Sequence, residues 1–146
     1  MNITKDIKYI GVNDKTIDLF EGQYVVENGM AYNSYMGCQK TRLAERRPPG
    51  PRVGSWNFTH EWLDNLSDAL ESRQPDYLVV QHMEPDHSAN ILNFMKAYPT
   101  CCIVANTKTF AMIENFFGDA ASSFEKIIIG DGDTLSLGKH ELTFVF

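Results

Sequence analysis

The stretch Tyr77-Leu78-Val79-Val80-Gln81-His82-Met83-Glu84-Pro85-Asp86-His87-Ser88 decides how this chain is read. YLVV is a short, continuously apolar run, the pattern of a β-strand covered on both faces. Four side chains able to bind metal, His82, Glu84, Asp86 and His87, follow it within six residues. Pro85 keeps the segment out of a helix, so it is expected to form a loop at the carboxyl end of a strand, where open α/β sheets place their ligand sites. In an extended stretch His82 and Glu84 project to the same side, and a turn after Pro85 brings Asp86 and His87 round to a common point. Such a loop can serve two neighbouring metals. Asp86 or His87 also sits at the start of a helix, where partial positive charge favours a carboxylate. The competing reading is a polar loop whose Asp86 caps that helix while His82 and His87 rest in solvent.

Outward from this loop, strands and helices alternate. Upstream, Phe58, Trp62, Leu63, Leu66, Ala69 and Leu70 share one helical face, with Thr59 as the expected N-cap and Pro75 beyond the end. Downstream, Ile91, Leu92, Met95 and Tyr98 predict a second amphipathic helix that Pro99 stops. CCIVA (101–105) repeats the buried-strand pattern, with both of its cysteines expected in the strand. Thr107 then opens a third helix through Phe110, Ile113, Glu114 and Phe117, ended by Gly118. IIIG (127–130), the Gly-Asp-Gly-Asp turn, and LSL and ELTFVF around Gly138-Lys139 predict a strand followed by a hairpin. Nearer the start, IKYIGV (7–12) reads as strand, and YVVENGMAYNSYM (24–36) as two strands paired around an Asn28-Gly29 turn. Residues 37–55 break every pattern. Arg42, Arg46, Arg47 and Arg52 stand there among Pro48, Pro49 and Pro51, and an exposed loop is expected.

Composition narrows the class. A chain of 146 residues that is 43% hydrophobic can bury one core, so a single domain over residues 1–146 is expected. With 13 Lys and Arg against 19 Asp and Glu, the net charge is −6, which argues against nucleic acid or an anionic membrane as partner. No apolar run approaches a bilayer span and the start lacks a secretory h-region, so a soluble cytoplasmic protein is expected. Cys38, Cys101 and Cys102 include no Cys-x-x-Cys pair and read as reduced thiols. His60, on the polar side of its helix, and His140, in the hairpin, read as surface residues.

The motif HMEPDH, together with YIGVND, AYNSY, EPDHS and GDTLSLGK, resembles the N-terminal domain of the flavodiiron proteins (A-type flavoproteins), a branch of the metallo-β-lactamase fold. The likeness spans about residues 7–36 and 57–146. It implies an α/β fold, a metallo-β-lactamase-like αββα sandwich of which this is the N-terminal part. It also implies that His82, Glu84, Asp86 and His87 supply part of a non-haem diiron centre. In that family the centre reduces dioxygen to water or nitric oxide to nitrous oxide, with electrons from a redox donor passing through FMN, and the full-length proteins form homo-oligomers. Hydrolytic relatives of the fold typically carry a His where this chain has Glu84. A carboxylate there adds charge and a harder donor, which suits iron.

The resemblance also sets what is missing. It places the remaining ligands, a later His, a bridging Asp and a further His, beyond the hairpin, and the FMN in a flavodoxin-like domain of which no trace is found. The chain stops inside the apolar ELTFVF, unlike a domain boundary, so a fragment that binds iron weakly and is not competent alone is expected. In the family, residues 37–55 correspond to a strand and an acidic segment, not to an Arg/Pro-rich stretch. Three rivals stand beside this reading: a zinc-dependent hydrolase of the same fold, a non-catalytic binding module, and a chain whose open strand end pairs with a separately encoded remainder.

Overall fold

The computed structural model describes residues 1–16, 19–20, 23–37, 58–84, 88 and 90–146. They fall into two compact units, Met1–Arg73 and Gln74–Phe146. The expected loop over residues 37–55, and Cys38 with it, lies outside the described residues except for Gly37.

The first unit is built from short antiparallel pairs and one helix. β1 (Ile7–Tyr9) pairs with β6 (Tyr35–Gly37), β2 (Val12–Asp14) with β5 (Met30–Tyr32), and β3 (Leu19–Phe20) with β4 (Tyr24–Val25). β2 shows the period-2 alternation of a half-buried strand, with Val12 and Asp14 buried and Asn13 exposed. The buried Asp14 is accommodated by hydrogen bonds: its Oδ1 accepts from the backbone N–H of Thr16 at 2.8 Å and from its hydroxyl at 2.7 Å.

The expected pairing around Asn28-Gly29 is corrected here. The turn exists, closed by Gly29 N–H donating to the Val26 carbonyl at 3.1 Å, but the strands either side of it take other partners. Turn chemistry fixes where a chain reverses and leaves open which strand it reverses onto. Gly29 is required for a second reason as well. Its φ is +74°, and a Cβ there would overlap the Asp14 carbonyl oxygen across the β2–β5 ladder.

α1 (Phe58–Leu70) carries Leu66, Ala69 and Leu70 on its buried face, as its periodicity predicts. Thr59 lies inside this helix rather than at its N-cap, because the helix starts at Phe58, two residues before the start that an N-cap at Thr59 would set. Asn65 Nδ2 donates to the Gly11 carbonyl at 3.3 Å, tying the helix to the β1–β2 junction. At the other end Lys8 Nζ donates to the Ala69 carbonyl at 3.0 Å and to Glu71 Oε1 at 2.7 Å. A cation placed on a C-terminal carbonyl answers both the unpaired acceptor and the helix dipole. Lys8 holds the Glu71 carboxyl below its ordinary pKa, chiefly through that hydrogen bond and then through its charge.

The second unit is a parallel sheet with crossover helices. β7 (Tyr77–Val79), β8 (Cys102–Ala105) and β9 (Glu125–Ile128) lie side by side in the order β7-β8-β9, both pairs parallel. α2 (Ile91–Ala97) connects the first two strands and α3 (Thr107–Phe117) the last two, as parallel neighbours require. β8 is the buried centre: Ile103 and Val104 are fully inaccessible. β7 is different from expectation. Tyr77 is exposed, and Leu78 and Val79 are only half-buried; among the described residues β7 pairs with β8 alone. An apolar run cannot by itself distinguish a central strand from an edge. Cys101 is also corrected: it precedes the strand, while Cys102 begins it.

The helices follow their sequence signals with small shifts. α2 buries Ile91, Phe94 and Met95, so Phe94 takes the place expected of Leu92 at the centre of the face. α3 is N-capped by Asn106, whose side chain accepts from Thr109 N–H at 2.9 Å, and it stops at Gly118 with φ +54°. Lys126 of β9 lies 5.5 Å from the Phe110 ring centroid and 2.7 Å from Glu114 Oε1, fastening strand to helix. A 3₁₀ turn over Gly118–Ala121 leads into β9. The expected final hairpin is present as β10 (Thr134–Ser136) paired with β11 (Glu141–Thr143).

Candidate metal centre

The three parallel strands end on one edge of their sheet, and each carboxyl end leads into a polar segment. After β8 stands Asn106, after β9 the turn at Gly130–Asp133, and after β7 the segment that carries His82 and Glu84. Two of these segments are committed to local structure. The Asn106 side chain caps α3. Asp133 Oδ2 accepts from Gly130 N–H at 2.6 Å, and Asp131 Oδ1 accepts from Phe146 N–H at 2.9 Å, so the Gly-Asp-Gly-Asp segment is the expected turn.

The segment after β7 is held differently. Val80 N–H donates to the Val104 carbonyl at 3.0 Å, which carries β7's attachment to β8 one residue past the strand. Beyond it the side chains alternate: His82 exposed, Met83 buried, Glu84 exposed. This is the alternation expected of an extended chain, with His82 and Glu84 sharing its exposed side. His82 Nδ1 lies 3.6 Å from Glu84 Oε2, with the two side chains 47% and 65% exposed. That separation is too long for a hydrogen bond. It does suit a shared cation: two donors each about 2.1 Å from one ion can be no more than about 4.2 Å apart. An imidazole nitrogen and a carboxylate oxygen that face water together at the end of a strand thus fit part of a metal shell.

Asp86 and His87 lie outside the described residues. Among the described residues no three His, Cys, Asp or Glu side chains gather into a metal-binding group. His60 and His140 are both exposed, as expected of surface residues. The described thiols are free, Cys101 buried and Cys102 half-buried. Burial pushes the Cys101 thiol up to about 12 and raises that of Cys102, so neither forms a thiolate ligand readily. What the sequence reading passed over is Met83. The signal was an apolar side chain alternating with polar ones.

No protein-family model matches the chain. Individual relatives do. Diflavin flavoprotein A 1 of Synechocystis is 32% identical over 145 residues, which are 98% of this chain and 24% of that protein. A nitric oxide reductase of Moorella thermoacetica is 28% identical over 147 residues, 98% of this chain and 34% of that protein. Among solved structures, a variant of the flavo di-iron protein from Thermotoga maritima superposes with a TM-score of 0.73 at 23% identity, covering 96% of this chain and 33% of that one. The flavodiiron protein from Giardia intestinalis gives 0.73 at 22%, covering 97% and 32%. The chain therefore spans about a quarter to a third of the length of the relatives it matches. Its homologues are diflavin and flavodiiron proteins, and its fold is the mixed α/β, metallo-β-lactamase-like fold of their N-terminal domain, as the motif resemblance implied. No helix among the described residues is long and apolar enough to cross a membrane.

Proposed function

We propose, from the premise that this chain is a homologue of the flavodiiron proteins, that it forms the N-terminal, metal-binding portion of an oxidoreductase that reduces nitric oxide or dioxygen. The observation that carries this is the pair His82 and Glu84, whose donor atoms lie 3.6 Å apart on one side of the segment after β7. His82 and Glu84 would hold iron, and Asp86 and His87 follow in the motif as further ligands of a diiron centre. Bound there, iron would supply the one-electron chemistry that side chains lack, with FMN and an external donor as the source of electrons. The chain's own part is to orient. The sheet edge presents an imidazole and a carboxylate together, and a carboxylate in place of a second imidazole favours a harder cation than a hydrolytic zinc site does. Location in the cytoplasm belongs to the same proposal.

Anaerobic reconstitution with ferrous iron tests the reading. Weak iron binding seen in an anaerobic equilibrium titration, and lowered further by about ten- to a hundredfold in affinity by His82→Ala and by Glu84→Ala, supports it. Uptake of iron that ignores both substitutions, or zinc uptake accompanied by ester or lactam hydrolysis, overturns it.

A further inference from the structure

The spacing of the ligand pair has a mechanical origin in the residue between them. Along residues 81–84 only Met83 is buried, at 3% exposure, while Gln81, His82 and Glu84 face solvent. The segment is fastened on both sides of that side chain. Upstream, Val80 N–H donates to the Val104 carbonyl at 3.0 Å; downstream, the N–H of Ser88 donates to the Glu84 carbonyl at 2.9 Å, and Ser88 is itself 3% exposed.

Successive side chains of an extended backbone point to opposite sides, so the burial of one residue fixes the direction of both its neighbours. Rotating the segment to turn His82 and Glu84 away from solvent would bring Met83 out into water and carry a carboxylate inward. Both changes are unfavourable, the first because it hydrates an apolar side chain and the second because it strips water from a charge. The buried thioether side chain and the exposed ligands are therefore alternatives of one two-sided choice.

We propose that Met83 is a positioning residue for the His82–Glu84 pair: its burial sets the register that aims both donors at one cation. This rests on the reading of that pair as metal ligands. The requirement on residue 83 is for shape and apolarity rather than for sulfur, so leucine, of similar volume, is expected to serve. Alanine keeps the site apolar but removes the side chain that anchors it, and glutamine inverts the preference between core and water.

The test uses the 146-residue chain with Co²⁺ as a spectroscopic stand-in, following the visible d–d bands and the affinity, with circular dichroism and thermal unfolding of the metal-free protein alongside. Wild type is expected to bind Co²⁺, and Met83→Leu to reproduce its bands with affinity within about threefold. Met83→Ala and Met83→Gln are expected to shift the bands and weaken binding by about ten- to a hundredfold while the metal-free circular dichroism is unchanged. Should Met83→Ala fail to fold, Met83→Val, shorter but still apolar, takes its place in the comparison. Bands and affinity unchanged in Met83→Ala or Met83→Val, in a protein where His82→Ala weakens binding, overturn the positioning role and leave the metal site standing. A wild-type chain that takes up no Co²⁺ overturns both.

Discussion

The two units of this chain solve the same problem by different means. In Gln74–Phe146 the central strand and what packs on it are deeply buried: Cys101, Ile103, Val104 and Ile113 are fully inaccessible, and the parallel strands are joined through helices. In Met1–Arg73 the described strands are two or three residues long and pair antiparallel, and the described core, Ile10, Val12, Leu66, Ala69 and Leu70, is 3–8% exposed. The first kind of unit makes a packed edge, and the candidate ligands His82 and Glu84 follow the strand β7 at that edge. The second depends on backbone register, closed turns and single cross-links such as Lys8. The comparison teaches where precision in this chain comes from: from packing in one unit, from individual backbone and polar contacts in the other.

The strongest way to break the comparison is to hollow the unit with the buried central strand. Ile113→Ala, at a position with no accessible surface, is expected to cost about 2–5 kcal/mol in urea unfolding, and to speed amide exchange in β8 more than in β2. A loss below about 1 kcal/mol would mean that the packing around α3 relaxes freely.

In the other unit the sharp test is a single methyl group. Gly29→Ala must adopt a φ of +74° and push its Cβ into the Asp14 carbonyl, so a loss of about 1–3 kcal/mol is expected with exchange concentrated in β2 and β5. A neutral result would show that the β2–β5 register tolerates a shift.

The smallest effect is the one that depends on pH. Lys8 holds the Glu71 carboxyl below its ordinary value of 4.5, so the folded state favours the ionised form. The resulting stabilisation is present above pH 4.5 and is lost as pH falls through the depressed folded value. Melting temperatures of wild type and Lys8→Met, followed from pH 6 to pH 3, are expected to converge at the acid end, with a residual difference from the lost bond to the Ala69 carbonyl. Parallel curves would remove Glu71 from the account. The contribution is small because Glu71 is exposed and solvent screens the pair.

Legibility in the sequence followed the same division. Where structure is decided locally, residue patterns sufficed: the α3 boundaries came from Thr107 and Gly118, the final hairpin from Gly138-Lys139, and the buried centre of the sheet from CCIVA. Where it is decided by pairing at a distance, they did not. Nothing in YVVENGMAYNSYM says that β4 turns to β3 while β5 turns to β2. Nor does YLVV say that, among the described residues, it pairs with β8 alone, since hydrophobicity records burial pressure and not neighbour count. Of the candidate site, the shared side of His82 and Glu84 was legible, because alternation along an extended chain is itself a local rule, while the metal chemistry stands as a proposal. Met83 was harder to read, since an anchor differs from filler only once its burial is known.

The central claim is that His82 and Glu84 act together on one metal ion. X-ray absorption at the iron edge of the ferrous-loaded chain tests it most directly, comparing wild type with His82→Ala and Glu84→Ala. A mixed nitrogen and oxygen shell whose imidazole scattering falls in His82→Ala, and whose short oxygen contribution falls in Glu84→Ala, is the predicted result. Spectra that are the same in all three proteins would contradict it.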